Sequence, residues 1–235
     1  MKKGYGQFCP VAKAAELLCE RWTVLVVREL VAGSRHFNEL RRGLPLMSPT
    51  LLSRRLKQLI EAGVVRRADD DGDTGAYELT QAGRELRPMV ELMAVWGHRW
   101  VGTRFESHDL DAGLLMWDIR RSLLPERFPA RRVVMEIRFS DAPHGTAHWW
   151  LVCEGGEVDL CREDPGHDVD LVIHTSVRTL TQIWLYQQTW EQAMRAGQLK
   201  ALGDPLLKQT LADWLPGSPL VRPGVDSLQA DPKVA

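Results

Sequence analysis

With 235 residues the chain has room for two modest domains, and its 30 Lys and Arg against 31 Asp and Glu leave a formal net charge of −1. No run of eighteen apolar residues argues for a membrane span, and the two lysines of Met1–Gly6 have no apolar stretch behind them, so a cytoplasmic location is expected. The overall balance hides an asymmetry: residues 1–103 hold 16 Lys and Arg against 12 Asp and Glu, whereas the remainder hold 14 against 19.

In chain order, Trp22 to Gly33 reads as a strongly apolar helix closed by glycine, and His36 to Arg42 as a short second helix. Gly43 to Met47 is a turn. Ser48 can then cap the orphan N–H groups of a third helix, with Pro49 at the first helical position and Gly63 at the stop. Leu52, Leu56, Leu59 and Ile60 share one stripe of this helix. Thr50, Ser53, Arg54, Lys57 and Gln58 lie on the far side, where hydrogen-bond donors and cations can meet base edges and phosphates. Val64–Ala68 and Ala76–Thr80 read as two strands joined by the polar tip 69–75. Helix, short turn, helix and hairpin make a winged helix-turn-helix. Its cations are clustered at Arg41, Arg42, Arg54, Arg55, Lys57, Arg66 and Arg67. With Ser48, Thr50 and Ser53, all but Arg55 are the expected contacts to double-stranded DNA. A long apolar helix over Gln81–Val101 is expected to join the two halves and to contribute to a dimer.

Residues 9–100 resemble the HxlR family of bacterial winged-helix regulators, relatives of the MarR group. The matching segments are Cys9–Val11, Arg21–Leu30, Arg35–Arg42, Leu52–Leu59 and Tyr77–Leu86. The resemblance implies a homodimer whose recognition helices enter successive major grooves of a palindromic operator. It also implies a transcriptional regulator, often a repressor. Cys9 stands where several such regulators have a thiol that senses oxidants or electrophiles; a buried, inert thiol is the other reading.

The polar stretch 104–111 reads as a boundary. Beyond it the expected elements are a helix over Leu114–Leu124, strands over Arg132–Phe139, His148–Cys153, Val158–Arg162 and Asp168–Thr175, and helices over Val177–Tyr186, Thr189–Ala196 and Asp204–Trp214. Strands followed by helices predict an α+β domain, an antiparallel sheet with helices on one face. The domains expected are 1–103, 112–215 and an irregular tail at 216–235.

The segments Asp170–Ser176, Thr179–Leu185 and Arg195–Leu207 resemble the sterol carrier protein domain, which implies an apolar tunnel between sheet and helices. Six of the nine tryptophans lie in this half. Met135, Trp149, Leu151, Trp184, Trp190 and Met194 are the expected lining for a small hydrophobic effector. No cofactor and no metal are expected: Cys9, Cys19, Cys153 and Cys161 lack C-x-x-C spacing, and His144 and His148 sit in a loop-and-strand stretch rather than a ligand-spaced motif. Without G-x-S-x-G, a Walker loop or H-E-x-x-H the chain is not expected to be an enzyme. The functional expectation is a DNA-binding transcriptional regulator, modulated by a small apolar ligand in its second half. The alternatives are a structural second half with thiol sensing at Cys9, or a lipid carrier or enzyme.

Overall fold

The computed structural model describes residues 4–68, 75–101 and 105–221, and the chain divides into two compact units, Met1–Gly97 and His98–Ala235. The first unit opens with a helix the sequence reading did not anticipate, α1 (Pro10–Leu18), with Cys9 at its N-cap. Then come α2 (Thr23–Val31), α3 (Phe37–Gly43) and α4 (Pro49–Glu61). The hairpin β1 (Val65–Ala68) and β2 (Ala76–Leu79) follows; the expected acidic tip, 69–74, lies outside the described residues.

Local chemistry explains where α4 starts and stops. The Ser48 hydroxyl accepts the Leu51 N–H at 3.3 Å, and Pro49 occupies the first turn. At the far end Gly63 has φ +70°. Its N–H reaches the Ile60 carbonyl and the Val64 N–H reaches Leu59, both at 2.9 Å, which is the Schellman closure. Leu52, Leu56 and Leu59 are fully buried against Val26, Val27 and Leu40, each worth about 2 kcal/mol of apolar burial.

The turn between α3 and α4 is anchored from beneath. Glu29 is completely buried, accepting Arg28 at 2.7 Å and the Ser34 hydroxyl at 3.1 Å, while Arg28 Nη2 donates to the Gly43 carbonyl at 2.9 Å. A Cβ on Gly43 would sit 1.9 Å from the Glu29 carboxylate, so only glycine closes α3 this tightly.

The single helix expected over Gln81–Val101 is a broken one. It is α5 (Gln81–Arg84), a turn at Glu85 and Leu86, then α6 (Arg87–Trp96), and a π-helical turn at Gly97–Val101. Pro88 has no N–H to return to Arg84, so it ends one helix and sits in the first turn of the next.

The second unit contains α7 (Ala112–Ser122), β3 (Val133–Phe139), β4 (His148–Glu154), β5 (Glu157–Cys161) and β6 (Leu171–Thr175). These are followed by α8 (Val177–Trp184), α9 (Trp190–Arg195), β7 (Leu199–Gly203), α10 (Pro205–Gln209) and α11 (Leu211–Trp214). The sheet order is β5-β4-β3-β6-β7. Two corrections follow. The sheet is mixed, not antiparallel, because the 162–170 connection carries β6 past β4 to lie parallel to β3. The segment at Leu199–Gly203, read only as a short leucine-containing stretch, is a fifth strand that pairs antiparallel with β6. The last expected helix is also split, at Thr210.

Alternation along the strands separates two faces. Met135, Ile137, Trp149, Leu151, Leu171, Ile173 and Leu199 join Met116, Ile119, Leu180, Trp184, Trp190 and Trp214 of the helices in one core. Glu136, Arg138, His148, Trp150, His174 and Lys200 fall on the opposite parity. Residues 216–221 are pinned by their backbone: Ser218 N–H donates to the Trp184 carbonyl at 2.7 Å.

Candidate nucleic-acid interface

Burying the leucine stripe turns the other side of α4 outward. Thr50, Ser53, Arg54 and Lys57 are exposed, and so is Ser48, whose hydroxyl caps the helix. Lys57 has a loose partner one turn on, Glu61 at 3.8 Å, with both side chains largely in solvent. Arg41 and Arg42 are exposed at the end of α3. Arg66 and Arg67 are exposed on β1. All nine expected DNA contacts are therefore on the surface of the unit that carries α4.

Two features of this surface escaped the sequence reading. Arg55 is not part of the cationic cluster: it is buried, with Nε donating to the Arg21 carbonyl at 3.1 Å, Nη1 to Gln58 at 2.7 Å and an ion pair to Glu20. Burial and the neighbouring Arg54 lower its affinity for its proton. Gln58, expected on the far side, is thereby turned toward Arg55. The second feature is Glu78 on β2, which pairs in register with Arg66 and holds both Arg66 and Arg35. Arg67 instead stands 5.6 Å from the Tyr77 ring. A hairpin register drawn from the sequence would have set Glu78 opposite Arg66.

The HxlR-like helix-turn-helix family matches residues 17–105. The HTH-type transcriptional regulator YvaP of Bacillus subtilis is 37% identical over 103 residues, which make 42% of this chain and 94% of YvaP. The chain belongs to the HxlR-like helix-turn-helix family. The HTH-type transcriptional regulator Rv3095 of Mycobacterium tuberculosis is 40% identical over 93 residues, 39% of this chain, and the match spans 58% of that relative's length. Among solved structures, the quinone-bound YodB from B. subtilis is 30% identical over 39% of this chain and 100% of that one, with a TM-score of 0.35.

In this HxlR member the described part of the winged helix-turn-helix also exposes apolar side chains. Leu92, Met93 and Trp96 of α6 are 41%, 52% and 56% exposed, and Phe8 just before α1 and Val11 in its first turn are more so. Cys9 is half-buried and Cys19 is exposed.

In the second unit, Met135, Trp149, Leu151, Trp184 and Trp190 are packed in the core, while Met194 is at the surface. None of the six lines a cleft described here. One cleft of about 690 Å³ lies between residues 125–132 and the β4–β5 turn. Another, of about 830 Å³, lies where β6 passes into α8, beside β7. Cys153 faces the core and Cys161 the opposite parity, so the sheet separates them. Among the described residues no group of three or more His, Cys, Asp or Glu is placed to hold a metal ion, and no helix is long and apolar enough to cross a membrane.

Proposed function

We propose that the chain is a DNA-binding regulator of transcription that works as a homodimer, with α4 in the major groove and a small-molecule effector bound by the second unit. The observation that carries the reading is the division of α4: three leucines are buried, and Thr50, Ser53, Arg54 and Lys57 are exposed on the opposite side. Arg41, Arg42, Arg66 and Arg67 flank that face and supply the phosphate contacts that give a nearly neutral chain its affinity. Its similarity to the HTH-type transcriptional regulators YvaP and Rv3095 supports the same reading.

The dimer rests on the apolar side chains that α6 and the start of α1 leave in solvent. A second copy is the occupant that a two-fold operator requires. The effector belongs in a cleft of the second unit, because the side chains expected to line an apolar tunnel fill the core instead. On the sterol carrier protein-like reading of its segments, the sheet and helices of the second unit would be the scaffold for such a cleft.

Fluorescence anisotropy with the DNA upstream of the chain's own coding sequence tests the reading. Specific binding by a dimer, weakened by Arg54→Ala, is the expected result. Indifference to such fragments at low salt by a folded protein refutes it.

A further inference from the structure

The cleft between β6, α8 and β7 is cationic in an unusual way. Strand register sets Arg138 beside His174 and His174 beside Lys200, so three basic side chains lie in one row across β3, β6 and β7. Basic groups placed directly opposite each other cost stability unless something neutralises them. Arg138 is neutralised by Glu136, at 2.6 Å. Among the described residues His174 and Lys200 have no acidic partner, and both line the cleft. Arg178 of α8 borders both this cleft and a neighbouring one that contains Asp111 and Asp141, and one of its five donors, on Nη1, is used by the Phe105 carbonyl at 2.8 Å. Ser140 and Gln182 add neutral polar groups, and the lining contains no Asp or Glu.

We propose that this cleft binds the carboxylate or phosphate of a small organic anion, held by Lys200 and Arg178 with His174 beside them. A volume of about 830 Å³ is far larger than an inorganic ion needs and falls in the range of small-molecule sites. Leu202, on the same parity as Lys200 and 55% exposed, gives the organic body an apolar contact. The inference rests on the effector reading above and changes its chemistry from an apolar ligand to an anionic one.

The test is calorimetric titration of the full chain, without DNA, by benzoate, phenyl phosphate, benzyl alcohol and inorganic phosphate. At least one of the two aromatic anions should bind. Benzyl alcohol should bind about tenfold more weakly or not at all, for want of the charge-assisted hydrogen bonds. Whichever of benzoate and phenyl phosphate binds tighter identifies the headgroup. Lys200→Met should weaken binding about tenfold, whereas Lys208→Met, which removes the same charge outside the cleft, should not. If Lys200→Met fails to fold by circular dichroism, Arg178→Met takes its place.

Three outcomes overturn the proposal: no binding of either aromatic anion, benzyl alcohol binding as tightly as the tighter-binding anion, or inorganic phosphate binding as tightly as that anion. An anion that binds here yet leaves DNA affinity unchanged would remove the coupling to DNA and leave the site standing.

Discussion

Arg55, in the middle of α4, donates its Nε to the backbone carbonyl of Arg21 at 3.1 Å. Its neighbour Arg54 has the same chemistry and points to solvent. The two arginines therefore separate stability from recognition. Arg55→Ala should lower the unfolding free energy by about 1–3 kcal/mol, since a carbonyl and the Glu20 carboxylate both lose a charged donor. Arg54→Ala should leave the melting temperature unchanged and cost about 1–3 kcal/mol of sequence-specific affinity while relaxing base preference. Thermal melts and competition binding on both variants check this; a stable Arg55→Ala protein would mean that α4 is not anchored through that side chain.

Arg66 is expected to act on phosphate. Arg66→Ala should weaken binding to all sequences alike and reduce the slope of log affinity against log salt by about one unit. Glu78 makes the opposite prediction. It pairs with both Arg35 and Arg66, so Glu78→Gln should release Arg66 and remove a negative charge from beside Arg35, raise non-specific affinity and steepen the salt slope. Equal effects of Arg54→Ala and Arg66→Ala on preferred and random DNA would put the wrong element in the groove.

These contrasts show what the sequence carries and what it does not. The limits of α4 were legible because Ser48, Pro49 and Gly63 each do one local job. The inward turn of Arg55 was partly legible: at about 100° per residue it lies roughly 60° from Leu52, on the shoulder of the buried stripe. Charge alone had assigned it to the outer cluster. The parallel pairing of β3 with β6 was not legible, because alternation reports which face a side chain takes and not which way the strand runs. Strand β7 was missed since Lys200, Ala201 and Gly203 are poor strand formers, and its register with β6 is what brings Lys200 beside His174. The six proposed lining residues are apolar, and apolarity does not distinguish a cavity wall from a filled core.

Glycine at position 83 is required by a close approach. A Cβ there would lie 2.2 Å from the Val64 carbonyl oxygen, which is backbone and has little room to yield. Gly83→Ala should destabilise the first unit by about 1–3 kcal/mol, read as a lower denaturant midpoint. Gly97→Ala, with open space around the added carbon, should not. A neutral Gly83→Ala would mean that α5 does not pack against the start of β1 in solution.

Glu136 gives the second unit a pH dependence with a definite sign. Burial pushes its carboxyl upward, but hydrogen bonds from Arg138 and His148 outweigh that and hold it below its ordinary 4.5. A group whose folded value is depressed contributes stability that is fully present above its unfolded value and is lost as pH falls through the folded one. Stability should therefore decline as pH drops below about 4.5. Glu136→Gln should be less stable at pH 7 and should show a shallower acid decline. Denaturant midpoints between pH 3 and pH 7 check this, and a parallel decline in both proteins would assign the acid sensitivity elsewhere.

The four cysteines should differ in reactivity. Burial pushes the Cys153 thiol up to about 12, so at pH 8 only about one molecule in ten thousand carries the thiolate that alkylates. Burial and Asp159 raise Cys161 as well, and it is only half-buried. Cys19 is exposed at the end of α1. Iodoacetamide at pH 8 should label Cys19 first, Cys161 slowly and Cys153 only after unfolding, as mass spectrometry of quenched digests can follow. Cys9 is the thiol at the N-cap of α1, and it decides the oxidant question. If it were a sensor, diamide would change DNA affinity in the wild type and leave Cys9→Ser unaffected. If Cys9→Ser and the wild type respond alike, Cys9 is not the sensor and any diamide response belongs to another thiol, with the exposed Cys19 the first to test.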